Sequence, residues 1–242
     1  MGAEQETRTL EWKGRTGPFP LTLTPLVFAP SSTSAVLADA LEIRPGETVI
    51  DVGCGSGVLS FVAARLGAGR VYGCDASSEA VEAARANARA LGLDDRVEFR
   101  AGNLLEPVRD VSADVVIGDV SGIPDPIAEL TGWFPDGRSG GPTGAELPTA
   151  MLQDLGDSLA PGGRLYLPTG TIQAETRVLE VARRVFGASN LELVAQREFP
   201  LPGHIVAGSK AVARLVQQGL LSLRRRGSRM LWRLSIWRCQ RP

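Results

Sequence analysis

The stretch DVGCGSGVLSFVAARLG, residues 51–67, decides the fold, because it runs from the end of an apolar strand through a glycine-rich turn into a helix. Gly53, Gly55 and Gly57 occupy alternate positions, so the turn presents bare backbone on which a large polar ligand can lie. The helix that follows adds free N–H groups and a partial positive charge. The stretch therefore predicts a ligand site where a strand meets a helix.

Strand and helix patterns alternate along the chain around this stretch. Short apolar runs such as TVIDVG (48–53), RVYGCD (70–75) and ADVVIGD (113–119) are separated by amphipathic segments, for example 77–91 and 174–186. Apolar runs of this length between helices are typical of a parallel sheet that is covered on both faces. The pattern predicts an α/β fold with a mostly parallel, doubly wound sheet.

The residues before this alternation predict an N-terminal extension. Residues 7–24 alternate around a glycine-containing turn, which indicates a β-hairpin, and residues 31–41 begin with serines that can cap a helix. We therefore expect residues 1–44 to form a hairpin and helix cap. Residues 45–242 would form the ligand-binding domain, and the two parts would make one compact unit.

One long interval, residues 119–163, interrupts the alternation between two predicted strands. Much of it is rich in glycine and proline, and it follows the carboxyl end of a parallel strand, where open α/β sheets bind ligands. We expect substrate contacts in this interval. Trp133 and Phe134 are candidates for an apolar wall around the substrate, although an aromatic pair can also anchor the loop to the core.

The composition suits one globular domain. The chain has 242 residues with 43% hydrophobic side chains, and no apolar run approaches the ~20 residues of a membrane span. Its first residues are polar and lack the apolar stretch of a signal peptide, so we expect a cytoplasmic protein without a membrane partner. One histidine and three separated cysteines are too few soft ligands for a zinc or iron site, so no metal is predicted.

The charge is distributed unevenly along the chain. From residue 199 onward there are nine basic side chains and no acid, whereas residues 1–198 carry 17 basic and 27 acidic side chains. The basic segment can meet an anionic partner, or it can neutralise the acidic body. It contains no recognisable RNA-binding module.

The glycine turn and a following acid indicate a nucleoside-bearing cofactor. Val58 stands where a dinucleotide site would have the third glycine of G-x-G-x-x-G, which disfavours a hydride-transfer enzyme. Asp75 ends the next strand, so its carboxylate should lie beside the turn. There it can accept two hydrogen bonds from a ribose diol.

Four segments together resemble the class I methyltransferases that use S-adenosylmethionine. They are DVGCGSG (51–57), GCDAS (73–77), RAGNLLE (100–106) and DVVIGD (114–119), and the resemblance covers about residues 45–170. It implies the seven-stranded, mostly parallel sheet of that family. It also implies S-adenosylmethionine as cofactor and S-adenosyl-L-homocysteine as product.

The resemblance also implies a set of cofactor-binding residues. Asp75 would hold the ribose hydroxyls, and Asn103 would lie at the adenine edge, where the family more often has Asp. The N-terminal extension covers the cofactor in related enzymes, so Phe28, Ser32 and Thr33 are candidates to close over it, and Phe28 is also expected to meet the substrate. In a domain without a cofactor, the glycines and Asp75 would serve only turns and caps. The implied set is Asp51, Gly53, Gly55, Gly57, Asp75, Ala76, Asn103, Leu104, Asp119 and Thr33.

Methyl transfer from a sulfonium is an in-line displacement, which requires an aligned nucleophile and a route for its proton. Asp119, at the end of the strand over 113–118, is one candidate base, although it can instead cap a turn or face the cofactor's amino group. His204 is the other, because it is the only side chain with an unperturbed pKa near neutrality. A loop histidine can also be a plain surface residue.

The residues after that strand bear on the methyl acceptor. Relatives that methylate planar amide or base nitrogens often have Asn-Pro-Pro and an aromatic here, whereas this chain has Asp119, Val120, Ser121 and Gly122. We expect a monomeric or homodimeric methyltransferase that acts on a small organic molecule in biosynthesis, at oxygen, nitrogen or carbon, with nucleic acid as a disfavoured partner. One alternative is a methyltransferase of a protein or ribosomal component. Another is a protein that binds the cofactor without methylating, or a partner subunit.

Overall fold

The computed structural model describes residues 7–131, 139–202 and 210–242. The strands and helices in these ranges are numbered in their order along the chain. They are β1 (Arg8–Trp12), β2 (Phe19–Leu23), α1 (Ser32–Ala40), β3 (Thr48–Val52), α2 (Val58–Leu66), β4 (Arg70–Asp75), α3 (Ser78–Ala90), β5 (Val97–Ala101), β6 (Ala113–Gly118), α4 (Asp125–Thr131), α5 (Glu146–Asp154), β7 (Leu159–Gly170), α6 (Glu175–Phe186), β8 (Leu191–Leu201), α7 (Lys210–Gln217), β9 (Arg224–Arg226) and β10 (Arg229–Gln240).

The main sheet has the strand order β5-β4-β3-β6-β7-β10-β8, and the short strand β9 also pairs with β10. Neighbours from β5 to β7 are parallel, whereas β10 runs antiparallel to both β7 and β8. The predicted α/β fold with a mostly parallel sheet is confirmed. The sequence did not predict β9, which has only three residues, all of them arginine.

Both faces of the sheet are buried, as the continuous apolar runs require. Val49 and Ile50, which are consecutive on β3, are both 0% exposed and belong to two different apolar clusters. The first cluster includes residues of α1, α2 and α3, and the second includes residues of α5 and α6. Strand β3 therefore lies at the centre of a three-layered core.

The N-terminal hairpin of β1 and β2 forms its own small sheet and packs on α2 and α3. Phe19 meets Phe61 of α2 edge to face, with ring centroids 6.2 Å apart. The buried Asn87 of α3 accepts a hydrogen bond from the backbone N–H of Thr22 at 2.8 Å and donates one to its carbonyl at 3.1 Å. The hairpin thus contributes to the first apolar cluster. The expected boundary at residue 44, between the N-terminal extension and the ligand-binding domain, stays a prediction.

The long interval and the last described helix take definite bounds in the structure. The described part of residues 119–163 contains α4, α5 and the first part of β7. Helix α7 ends at Gln217, because Gly219 adopts a φ of +71° and the N–H of Leu220 turns back to the carbonyl of Leu215. In the described part of the chain, no helix combines the length and apolarity needed to cross a membrane.

Candidate active site

A cavity of about 870 Å³ lies at the carboxyl edge of the parallel strands. The loops that follow β3, β4, β5, β6 and β7 all contribute to its wall, together with the start of α1 and part of β10. The volume falls within the usual range of cofactor and small-molecule sites. Strand β3 has β4 on one side and β6 on the other, so the cavity opens where the direction of strand order reverses, which is the expected ligand position in such sheets.

The glycine turn after β3 forms one side of the cavity. A Cβ on Gly53 would lie 2.6 Å from the carbonyl oxygen of Asp119, so only glycine lets the loops after β3 and β6 approach this closely. Gly55 has a φ of +51°, and a Cβ there would meet no atom within 4 Å. The space that a side chain at Gly55 would fill is therefore open to a ligand.

Asp75 lies half-buried on the wall beside this turn, with both carboxylate oxygens held by backbone donors. Oδ2 accepts a hydrogen bond from the N–H of Gly55 at 3.0 Å, and Oδ1 accepts one from the N–H of Ser77 at 2.9 Å. Each oxygen has a second lone pair. The side chain is thus fixed in place and can still accept hydrogen bonds from two hydroxyl groups.

Three further predicted residues, Ala76, Asn103 and Leu104, lie together on the wall after β4 and β5. Leu104 has a φ of +48°, which is unusual for a residue with a branched side chain. Its carbonyl accepts a hydrogen bond from the thiol of the buried Cys74 at 3.1 Å. This contact joins the ends of β4 and β5 beneath the position predicted for the adenine.

Asp51 lies behind the wall rather than on it. Its side chain is 0% exposed, Oδ2 accepts a hydrogen bond from the hydroxyl of Ser60 at 2.6 Å, and Oδ1 has no partner among the described residues. Burial, helped by the charges of Asp119 and Asp75, raises the pKa of Asp51 to about 7. The negative charges of Asp119 and Asp75 on the wall therefore disfavour ionisation of the buried Asp51.

Asp119 lies half-buried on the wall, and its carboxylate has no hydrogen-bond partner in the parts of the chain that the structure describes. Burial raises its pKa to about 6. At pH 7 most of this carboxylate is still ionised. An ionised, unpartnered carboxylate can accept a hydrogen bond or a proton from a bound ligand.

Every charged side chain on the described part of the wall is acidic, namely Asp75, Asp119 and Asp125. The carboxylate of Asp125 already has a partner within the protein, since it accepts a hydrogen bond from the hydroxyl of Ser139. With Asp51 behind them, these carboxylates favour a ligand that carries positive charge. A sulfonium group and an amine both meet that condition.

The far side of the cavity contains residues that the sequence did not point to, above all Gln173 and Trp232. Gln173 is 5% exposed, and its Nε2 has no partner among the residues described. A Cβ on Gly122 would lie 2.0 Å from Oε1 of Gln173, so a glycine at 122 makes room for this carboxamide. Trp232 lies over Gly170 and packs on Phe199, with ring centroids 5.3 Å apart.

The structure brings most of the predicted site residues to the same cavity. Asp51 and Gly57 do not reach the wall, and Gly57 faces Phe61 and Phe99 instead. Trp133, Phe134 and His204 lie outside the described residues. The predicted residues on the wall are Thr33, Phe28, Gly53, Gly55, Asp75, Ala76, Asn103, Leu104 and Asp119.

Comparison with known families decides what kind of protein has this cavity. The sequence profile of the family described as "Methyltransferase domain" matches residues 43–214. The chain belongs to this methyltransferase family. It is an S-adenosylmethionine-dependent methyltransferase of class I, and membership implies S-adenosylmethionine as the cofactor. The open space at Gly55, the fixed carboxylate of Asp75 and the acidic wall all fit a ligand with a ribose diol and a sulfonium.

Named methyltransferases resemble this one over different lengths. The release factor glutamine methyltransferase of Moorella thermoacetica is 34% identical over 206 residues, which cover 80% of this chain and 69% of that protein. The ribosomal protein L11 methyltransferase of Pelotomaculum thermopropionicum is 36% identical over 150 residues, which cover 62% of this chain but only 41% of that protein. The chain therefore spans less than half of the latter relative.

A solved structure supports the fold. The tRNA m1G37 methyltransferase of M. jannaschii has a TM-score of 0.62 and 12% sequence identity, and the match covers 100% of this chain and 56% of that one. At this identity the likeness concerns the fold alone.

The relatives correct one prediction about this methyltransferase. A small organic molecule was expected as the partner, and this expectation is wrong, because the relatives are named as methyltransferases of a release factor and of a ribosomal protein. The alternative of a protein or ribosomal component is better supported. The absence of an Asn-Pro-Pro motif disfavoured one kind of acceptor atom, and it carried no information on whether that atom belongs to a small molecule or to a protein.

Proposed function

We propose that this enzyme methylates an amine nitrogen on a protein of the translation apparatus. The two relatives named for a release factor and for ribosomal protein L11 support a protein acceptor. The amine rests on one observation: the unpartnered carboxylate of Asp119 stands on an acidic wall beside the glycine turn. An amine presents positive charge and hydrogen-bond donors to that carboxylate.

In this proposal, S-adenosylmethionine bound along the glycine turn supplies an electrophilic methyl group. Asp75 accepts the ribose hydroxyls, and the backbone at Gly53 and Gly55 lies along the cofactor. Ala76, Asn103 and Leu104 border the adenine. The described residues 7–44 cap the site, with Thr33 and Phe28 at its edge. The contacts of Asp75 with two backbone N–H groups support this arrangement, because they orient its carboxylate before any ligand arrives.

Asp119 has two tasks in the proposed reaction. An amine reaches the site as an ammonium ion, and its nitrogen lone pair becomes available only when a proton leaves. The carboxylate of Asp119 holds the ammonium by a charge-assisted hydrogen bond and accepts that proton. The apolar side chains of Val120, Ile172 and Leu234 on the same wall suit the aliphatic part of an amino-acid side chain.

A second candidate acceptor is the side-chain amide of a glutamine. The named release factor glutamine methyltransferase and the unpartnered carboxamide of Gln173 beside Gly122 favour it. A carboxamide can both donate to and accept from another amide. The amine ranks first because an amide nitrogen is not basic and gains little from a facing carboxylate.

A labelling experiment tests both candidates. The purified enzyme is incubated with methyl-labelled S-adenosylmethionine and, separately, with ribosomal protein L11, a bacterial release factor and a small-metabolite extract. Tandem mass spectrometry then locates the methyl group. We expect a methylated amine on a protein and a loss of kcat of about 10²-fold or more in Asp119→Asn, the usual contribution of a general base. The exposed Asp94→Asn is the matched control and should keep full activity.

The other outcomes separate the candidates. A methylated glutamine amide that Gln173→Leu abolishes and Asp119→Asn retains would replace the amine by the second candidate. Label found only in the small-metabolite extract would overturn both.

A further inference from the structure

The structure divides the nine basic side chains after residue 199 into two groups. Five of them, at positions 210, 214, 225, 226 and 229, form no ion pair with an acid within the described ranges 7–131, 139–202 and 210–242. The other four pair with acids of the body: Arg224 with Glu198, Arg233 with Glu175, Arg238 with Glu42 and Glu192, and Arg241 with Asp157. Neutralisation of the acidic body therefore accounts for only part of the basic segment.

Most of the unpaired charge is concentrated in one turn, residues 224–229, which we name the arginine hairpin. Its sequence is RRRGSR, and all six residues are exposed. Arg226 and Arg229 lie directly opposite each other in the pairing of β9 with β10. Like charges directly opposite each other destabilise a strand pair, so this arrangement costs stability in the absence of an anion.

One acid lies near the arginine hairpin, and it does not balance the charge. Arg224 donates a hydrogen bond from Nε to Glu198 at 2.9 Å. That hydrogen bond lowers the pKa of Glu198, and the charges of Arg226 and Arg233 lower it further. A single carboxylate therefore faces several guanidinium groups, which leaves a net positive surface.

The arginine hairpin extends from the same edge of the sheet as the candidate active site. Strand β8 pairs with one edge of β10, and this pairing includes Met230 and Leu231 of β10. Strand β9 pairs with the same two residues, so it lies on the other edge, where β7 pairs from Leu234 onward. Along this edge of β10, strand β9 therefore lies just beyond the carboxyl end of β7. The cavity wall includes Gly170, at that end of β7, and Trp232 of β10.

We infer that the arginine hairpin binds the phosphate backbone of RNA, so that RNA passes beside the mouth of the cavity. Guanidinium forks match phosphate oxygens and can bind them with two hydrogen bonds. Arg224 and Arg226 share one face of β9 at a spacing of about 6.6 Å, which gives a linear array of charge for a linear polyanion. A basic stripe of this kind is the electrostatic footprint of a nucleic-acid contact.

The composition of the arginine hairpin favours RNA over an acidic protein. Protein interfaces centre on buried aromatic or aliphatic anchors, and the sequence RRRGSR supplies none. The inference depends on the hairpin alone and not on the proposed acceptor atom. If both hold, the substrate is a protein that sits next to RNA in a ribonucleoprotein particle.

Fluorescence anisotropy with the full chain tests the inference. The probes are a 20-nucleotide single-stranded RNA, an RNA stem-loop and a poly-glutamate peptide, each titrated between 50 and 200 mM KCl. The variant R225Q/R226Q/R229Q is compared with R89Q/R183Q/R184Q, which also removes three arginine charges but from exposed positions on α3 and α6. Thermal unfolding and binding of S-adenosylmethionine establish that both variants are folded.

We expect salt-dependent RNA binding that the hairpin variant weakens by about tenfold or more. Its plot of log K against log salt concentration should become shallower by about 2, since each phosphate contact on a single strand contributes about 0.7. The control variant should keep at least most of the affinity. Equal losses in both variants, or no loss in either, would overturn the inference, as would tighter binding of poly-glutamate than of RNA. A negative RNA result with retained protein methylation would leave the proposed function intact.

Discussion

Two carboxylates on the cavity wall, Asp75 and Asp119, differ in what holds them. Both oxygens of Asp75 accept backbone N–H groups, whereas Asp119 has no partner in the described chain. Burial without such hydrogen bonds raises the pKa of Asp119, because it disfavours the charged form. Asp75 is therefore suited to binding a ligand in a fixed orientation, and Asp119 is suited to exchanging a proton.

Replacing Asp75 with alanine should weaken cofactor binding. The variant removes the carboxylate proposed to accept the ribose hydroxyls and frees the N–H of Gly55. A hydrogen bond to a charged group contributes about 1.5–3 kcal/mol, and the loss of one already lowers affinity about 10- to 100-fold, so we expect affinity for S-adenosylmethionine to fall by at least about 10-fold. Isothermal calorimetry measures the change. Asp94→Ala, an exposed acid, should bind as the wild type does, and an unchanged affinity in Asp75→Ala would exclude the proposed contact.

The pH profile should report the ionisation of Asp119. Its pKa is raised to about 6 by burial, so the carboxylate is protonated below that pH and cannot accept a proton. We expect kcat/KM to rise with pH through about 6 and to level off above it. In Asp119→Asn this limb should disappear along with most of the activity. A profile with the same limb in Asp119→Asn would assign the ionisation to another group.

At the scale of single elements, Asn87 of α3 connects three parts of the molecule. Its side chain bonds both backbone groups of Thr22 in the hairpin, and it donates a further hydrogen bond to the carbonyl of Ser56 in the glycine turn at 3.1 Å. One buried carboxamide thus ties β2 and the ligand turn to the same helix. The hairpin and the turn should therefore lose order together.

The variant Asn87→Ala should destabilise the fold. It leaves backbone groups of Thr22 and Ser56 without their partner, and each such group costs about 1–3 kcal/mol. With three such groups, we expect the free energy of unfolding in urea to fall by about 3 kcal/mol or more, with weaker binding of S-adenosylmethionine. The exposed Arg89→Ala on the same helix should change stability by less than about 0.5 kcal/mol. Equal effects from the two substitutions would contradict this role of Asn87.

For the whole molecule, the strand order determines which loops meet. The carboxyl ends of β3 to β7 lie at one edge because these strands are parallel. Strand β10 is antiparallel to β7, so its first half, with Trp232 and Leu234, reaches the same edge. Residues far apart in the chain therefore build one cavity, and that cavity exists only when the sheet has formed.

Cofactor binding should consequently stabilise the entire fold. A ligand that binds only the native state at 100 times its dissociation constant adds about 2.7 kcal/mol to the free energy of unfolding. We expect S-adenosylmethionine at that concentration to raise the unfolding midpoint of the wild type and to raise that of Asp75→Ala much less. Differential scanning fluorimetry provides the measurement. A shift of equal size in both proteins would place the cofactor away from Asp75.

The sequence alone determined the alternation of strands and helices, the glycine turn and its partner acid. These features are local, since both residues belong to one β-α-β unit. Gly55 lies in the loop between β3 and α2, and Asp75 ends β4. Side-chain periodicity and glycine spacing are short-range properties, and they are sufficient to predict the fold class and the ligand turn. The residues of the resemblance also led to the correct enzyme family.

The rest of the site was decided only by the tertiary structure. Trp232 reaches the cavity because β10 inserts between β7 and β8, and Gln173 reaches it because β7 lies parallel to β6; no local pattern encodes either pairing. Likewise, the sequence gives the nine basic residues but not which of them find acids, since ion pairs such as Arg238 with Glu42 join residues nearly 200 positions apart. Long-range strand pairing selects these neighbours, and it depends on the energy of the whole packed sheet.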